Sequence, residues 1–335
     1  MEEFLRKLVR EILNEEHGIS FEVDRLAEWL TKSFIDDIKS GIQNGTYKFP
    51  KREHHILFDV PEELAIETQI YIIVVETDIF NGYEKIDGQF LASKTDRQND
   101  NGVDTYVIYL KLNFDWDFKG DIYTVLYPFF SHELEHAYDY ILRFDKPSKS
   151  KALNSGIKRI GNGYLQQIII DNQPLSDFVF NFYLALPEEV NARVHEAFAQ
   201  IKHNLHLDID SIIRLLKTKQ QFKDAIIMKG YNFNNAITLS EELKNEFITE
   251  FNKQILYSLI KRGVIDKDLT YAQKRTNQFF EYWGTRINNN GETLRRKILK
   301  MVVAEKEKYD EKVKLSNPDN VPIVNTKVNT NTKNK

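Results

Sequence analysis

Near the N-terminus apolar residues recur every third or fourth position. Phe4, Leu5, Leu8, Val9, Ile12 and Leu13 form one such series, and Val23, Leu26, Leu30, Phe34 and Ile38 form a second. The spacing predicts two amphipathic helices within residues 1–45. Between Tyr47 and Phe114 the pattern changes to short stretches rich in β-branched and aromatic residues, HILFDV, QIYIIVVET and TYVIYLKLNF, separated by Gly, Asn and Asp. These read as strands of a sheet. In the last of them Ile108, Leu110, Leu112 and Phe114 alternate with Val107, Tyr109, Lys111 and Asn113, so one side faces a core and the other is half wet. The preceding RQNDNG, residues 97–102, reads as a mobile turn.

Asp121 is a candidate N-cap, and a helical pattern continues to about Arg143. Pro128 lacks the N–H that would continue a helical ladder, so it either begins a second helix or kinks a longer one, and a start near Pro128 is favoured. The segment KPSKSKALNSGIKRIGNG reads as a loop. After it, LSDFVFNFYLAL and PEEVNARVHEAFAQI read as two helices broken at Pro187. Beyond Asp208 everything looks helical. Thr238 with Glu241 reads as a capping box, Leu243, Phe247, Phe251, Ile255 and Leu259 form a stripe ending at Gly263, and another helix spans Tyr271 to about Tyr309. The Asn/Thr/Lys-rich end is expected to be disordered. The implied division is a helical segment over 1–45, an α+β core over 46–206, a helical subdomain over 207–313 and a polar tail over 314–335.

Composition narrows the chemistry. With 335 residues, 41% of them hydrophobic, the chain can bury a sizeable core. A net charge of −4 argues against a nucleic-acid partner. There is no cysteine, so any metal must sit on His, Asp or Glu. The N-terminal stretch carries acids where a signal peptide needs an apolar run, and apolar runs such as Tyr71 to Val75 are too short to span a bilayer. A soluble, cytoplasmic chain is expected, with no membrane partner. Phosphate-binding, dinucleotide and serine-hydrolase glycine motifs are absent.

One short stretch carries chemistry: His132-Glu133-Leu134-Glu135-His136. On a helix, residues four apart stand one above the other, so both imidazoles can reach one ion. Glu133 lies about 100° around the helix from His132. There it suits a base that takes a proton from water better than a third ligand. The bland alternative is a solvated helix face with two surface histidines. A di-iron carboxylate site would need a second E-x-x-H, and none occurs.

The stretch HELEHAYDY resembles the active-site helix of the zincin metallopeptidases, thermolysin-like members included, with Ala137 and Tyr140 at the small and aromatic positions. The resemblance covers the motif and the strand-then-helix order. It implies an α+β zincin-like mixed sheet with an active-site helix, flanked by N-terminal helices and a C-terminal helical subdomain. It implies zinc held by His132 and His136, Glu133 as general base, and a protein or peptide as substrate. The metzincin pattern does not continue, since Asp139 stands where a glycine belongs and Leu142 where a third histidine belongs. A downstream glutamate would make the site gluzincin-like. In PEEVNAR the stretch Glu189 to Ala192 is similar to the E-x-x-A form of several intracellular HExxH families, which favours Glu189 over Glu188 as the third ligand, with Ala192 allowing close helix approach. A glutamate after a proline also suits a helix start for its own sake. Asp177 and Asp139 remain open as ligands, and Asp139 also as an acceptor for an imidazole N–H. Tyr183, Arg193 and His195 are candidate donors to a developing oxyanion, each more simply read as structural. In zincins an edge strand pairs with extended substrate, a role the polar face of residues 105–113 would take here. The reading from another class is a structural or binding protein that keeps this scaffold without turnover.

Overall fold

The computed structural model describes residues 21–46, 53–62, 64, 68–76, 86–91, 96–100, 103–114, 121–142, 165–261 and 276–316. The first predicted helix, the loop over 146–163 and residues 317–335 lie outside them.

The second N-terminal stripe forms helix α1 (Phe21–Gln43). Five strands follow: β1 (Glu53–Asp59), β2 (Thr68–Glu76), β3 (Ile86–Phe90), β4 (Asp96–Asp100) and β5 (Val103–Phe114). The sheet is mixed. Its order is β1-β2-β5-β3, with β2 and β5 parallel and the other pairs antiparallel, while β4 also pairs with β5. Helix α2 (Ile122–Leu142) comes next, then α3 (Leu165–Asp171), α4 (Gln173–Leu184), α5 (Pro187–Ala199), α6 (Ile209–Leu216), α7 (Gln220–Lys229), α8 (Asn234–Ile237), α9 (Glu241–Lys261) and α10 (Thr276–Ser316). The architecture is α+β, mostly helical with one mixed sheet. Among the described residues no helix is long and apolar enough to cross a membrane.

Two cores follow from the patterning. Ile70, Ile72 and Val74 of β2 with Ile108, Leu110 and Leu112 of β5 form one sheet face. On it pack Leu30 and Phe34 of α1 and Leu126, Phe130 and Leu134 of α2. Each such fully buried side chain contributes about 1.5–3 kcal/mol relative to exposure. The second core is helical, built around Phe178, Phe182, Phe247, Phe251 and Phe280. Val190, Val194 and Phe198 of α5 belong to it, whereas Ala199 belongs to the sheet core. Helix α5 therefore touches both.

Four expectations are corrected. Helix α2 does not begin near Pro128 but runs through it. Asp121 caps it, accepting from the Tyr123 amide at 3.0 Å, and burial of Leu126, Tyr127, Phe130 and Leu134 on both sides of the proline offsets a penalty of about 3 kcal/mol. The predicted turn at RQNDNG is largely strand β4, because backbone pairing of Asp96–Asp100 with Val103–Val107 overrides its poor strand propensity. Strand β5 is no edge: β2 takes one side and β3 and β4 the other. The capping box at Thr238 does not form, because the Ser240 hydroxyl accepts from the Leu243 amide at 3.3 Å while Thr238 bonds the Asn235 carbonyl. The break at Pro187 is as predicted, with the proline in the first turn of α5. Helix α10 runs past Tyr309 to Ser316, its last turns carrying Lys306–Asp310 and Lys308–Glu305 ion pairs.

Candidate metal centre

Helices α2 and α5 pack face to face and antiparallel. His136 meets Glu189 near the start of α5, His132 meets Glu196 near its end, and Tyr127 meets Lys202 just beyond it. Residues 132, 135 and 136 of α2 and 189, 192, 195, 196 and 199 of α5 follow helical spacing, so each set shares one face. Ala192 of that α5 face is fully buried and Ala199 nearly so, and such small side chains let the two backbones approach closely.

The motif histidines converge. Their Nε2 atoms lie 3.1 Å apart and the rings stand nearly perpendicular, at 80°. Glu189 closes the group, with Oε1 3.5 Å from His136 Nε2 and Oε2 3.7 Å from His132 Nε2. Its side chain is 2% exposed, and Oε2 has no hydrogen-bond partner. A buried carboxylate oxygen left that way is costly, and a cation among three such atoms removes the cost. All three ligand atoms lie within 4.8 Å of one another, so His132, His136 and Glu189 could hold a metal ion. Two imidazole nitrogens and a carboxylate oxygen suit a divalent cation of intermediate hardness.

The second ring nitrogen of His132 is also engaged. Nδ1 lies 3.2 Å from Glu196 Oε2, and an N–H there leaves the Nε2 lone pair facing Glu189. Burial pulls the His132 imidazole down, but the Glu196 bond and then the charges of Glu196, Glu133 and Glu189 outweigh it, pushing the pKa up to about 9. Burial likewise raises the Glu196 carboxyl, and His132, Arg193 and Gln221 bring it below the ordinary carboxylate range. A field that draws a proton onto His132 draws a metal cation as well.

Glu133 is buried beside this group, and its charge is felt by both His132 and Tyr183. The Tyr183 phenol of α4 is pushed far up, by burial first and then by the Glu189 carboxylate that it bonds. Tyr183 thus stands against the third ligand. Arg193 does not, donating from Nη1 to Asp224 of α7 at 2.6 Å. His195 lies 3.3 Å from Glu135 of α2, and burial holds its pKa down to about 4, against the pull of Asp24.

Glu188 is buried but outside the ligand group. Asp177 is exposed and accepts from Gln173 at 2.7 Å, so it is no ligand. The Asp139 side chain lies outside the described residues. Glu196 went unremarked in the sequence, although its position seven residues after Glu189 puts both on one face of α5.

No family model, curated protein or solved structure matches this chain.

Proposed function

We propose that the chain is a zinc metallopeptidase, a gluzincin-like zincin that hydrolyses peptide bonds in a protein or peptide. The observation that carries this reading is the approach of Glu189 to both motif histidines, 3.5 Å from His136 and 3.7 Å from His132. Without a third ligand, H-E-x-x-H on a helix is half a site.

His132, His136 and Glu189 would hold the ion, and Glu196 orients His132 for it. Zinc held there supplies Lewis acidity towards a substrate carbonyl and acidifies water. Glu133 takes a proton from the attacking water and passes it to the leaving amine nitrogen. Its burial beside the ligands strengthens its electrostatic influence there. Tyr183 steadies the Glu189 carboxylate. The sheet edge next to α2 is β3, whose outer side carries no strand among the described residues, and an extended peptide could add there by backbone pairing.

The test is zinc content by elemental analysis, followed by hydrolysis of a mixed peptide pool, for wild type, His132→Ala and Glu133→Gln. The expected result is about one zinc per chain, lost in His132→Ala. Glu133→Gln should keep the metal and lose roughly 10²–10⁴-fold in rate. Zinc bound without turnover of any peptide would leave a structural metal protein. Absence of zinc from wild type, even after reconstitution, would end the reading.

A further inference from the structure

The seam between α2 and α5 carries a second histidine–carboxylate crossing with the partners exchanged. At the metal centre the histidines come from α2, and the carboxylates, the ligand Glu189 and the His132 partner Glu196, come from α5. One residue along each helix, the histidine is His195 of α5 and the carboxylate is Glu135 of α2, with Nε2 and Oε2 3.3 Å apart. Both side chains are almost closed to solvent, at 7% and 12% exposure. His195 directly precedes Glu196, and Glu135 directly precedes His136. Lys297 of α10 faces the same Glu135 carboxylate, and Asp24 of α1 faces His195.

We infer that His195 and Glu135 are a positioning pair, fixing the rotation and register of α5 on α2 so that Glu189 meets both motif histidines at once. This rests on the metal-centre reading above. The physical reason lies in the rest of the seam. On the face that α5 turns towards α2 the buried apolar side chains are alanines, Ala192 and Ala199, which allow close approach but provide little interlocking side-chain relief against sliding. A working metal site needs its ligands held to about 0.5 Å. Acids crowd the seam as well: Glu133, Glu135, Glu188, Glu189 and Glu196 all come from these two helices. The polar contact of His195 from α5 with Glu135, one of the two acids of α2 that stand next to a ligand, ties the helices where repulsion would otherwise part them. The pair contacts no substrate atom in this scheme and acts only through the ligands.

The experiment uses the full chain and zinc alone as the probe. Zinc affinity is measured by competition with a chromophoric chelator for wild type, His195→Leu, His195→Gln and Glu135→Gln. The visible absorption of each cobalt-loaded protein and the melting temperature of each metal-stripped one are recorded alongside. His195→Leu should lose about tenfold in zinc affinity, the lower end of the range for groups that orient metal ligands, and should show an altered cobalt spectrum. His195→Gln keeps a donor and should recover most of that affinity. Equal zinc affinity and equal cobalt spectra in wild type and His195→Leu would overturn the inference while leaving the metal centre standing. If His195→Leu does not fold, Glu135→Gln decides: it should lose zinc affinity and alter the cobalt spectrum, and wild-type spectra and affinity in it would overturn the inference too. If wild type takes up no zinc, the metal reading fails and the positioning role falls with it.

Discussion

His132 Nδ1 and Glu196 Oε2 meet at 3.2 Å across the seam between α2 and α5, which leaves the other nitrogen of the same ring turned towards Glu189. The contact makes Glu196 part of the metal centre without being one of its ligands. Replacing it with glutamine keeps the shape and removes the charge. Zinc affinity in Glu196→Gln should fall by about 10–100-fold, measured by chelator competition. Unchanged affinity would mean that packing alone orients the His132 ring.

Glu189 supplies a buried oxygen that has no hydrogen-bond partner, so filling the site should stabilise the fold. At free zinc a hundred times the dissociation constant, stabilisation should reach about 2.7 kcal/mol, seen as a rise in melting temperature that a chelator reverses. Glu189→Gln should abolish this zinc-dependent rise. An equal rise in the variant would place the bound metal elsewhere.

Helices α7 and α10 cross so closely that Gly291 has no room for a side chain. A Cβ there would run into the backbone nitrogen of Lys229, and would lie 2.7 Å from Met228 Cβ and 2.9 Å from the Ala225 carbonyl oxygen. Gly291→Ala should cost about 1–3 kcal/mol, the usual range for overpacking. Gly230→Ala, whose new atom would come no nearer than 3.4 Å to the Ile226 carbonyl, should change stability by under about 0.5 kcal/mol. Denaturant unfolding of the two variants side by side measures the difference, and equal midpoints would mean that the helices separate at little cost.

Lys202 bonds Asp24, Glu28 and Tyr127, tying α1 to α2 and to the end of α5. Burial raises the Glu28 carboxyl, but its bonds to Lys202 and then Lys32 outweigh this, taking it from 4.5 to about 2. Because the folded value lies below the unfolded one, this stabilisation is present above about pH 4.5 and is lost as pH falls from there towards 2. Glu28→Gln should therefore lose less stability than wild type over that window, measured by denaturant unfolding at stepped pH. Parallel losses in both proteins would remove Glu28 from the acid response.

The sequence by itself determined what depends on near neighbours along the chain. Helical spacing in Val23 to Ile38 and alternation in Ile108 to Leu112 specify which side of each element is buried, whatever it packs against. Two histidines four apart on one helix can share an ion from local geometry alone, and a proline at 187 starts a helix by the same local rule. The tertiary structure decided what depends on distant partners. Whether Pro128 starts a helix or lies within one turned on the buried surface on both sides of it, and whether RQNDNG is a turn or a strand turned on β5 lying alongside. The choice between Glu188 and Glu189, and the part played by Glu196, turned on how α5 is rotated against α2. Adjacent residues differ by about 100° around a helix, and which of them faces the histidines is set by the close packing around Ala192, a contact between residues some fifty positions apart in the chain.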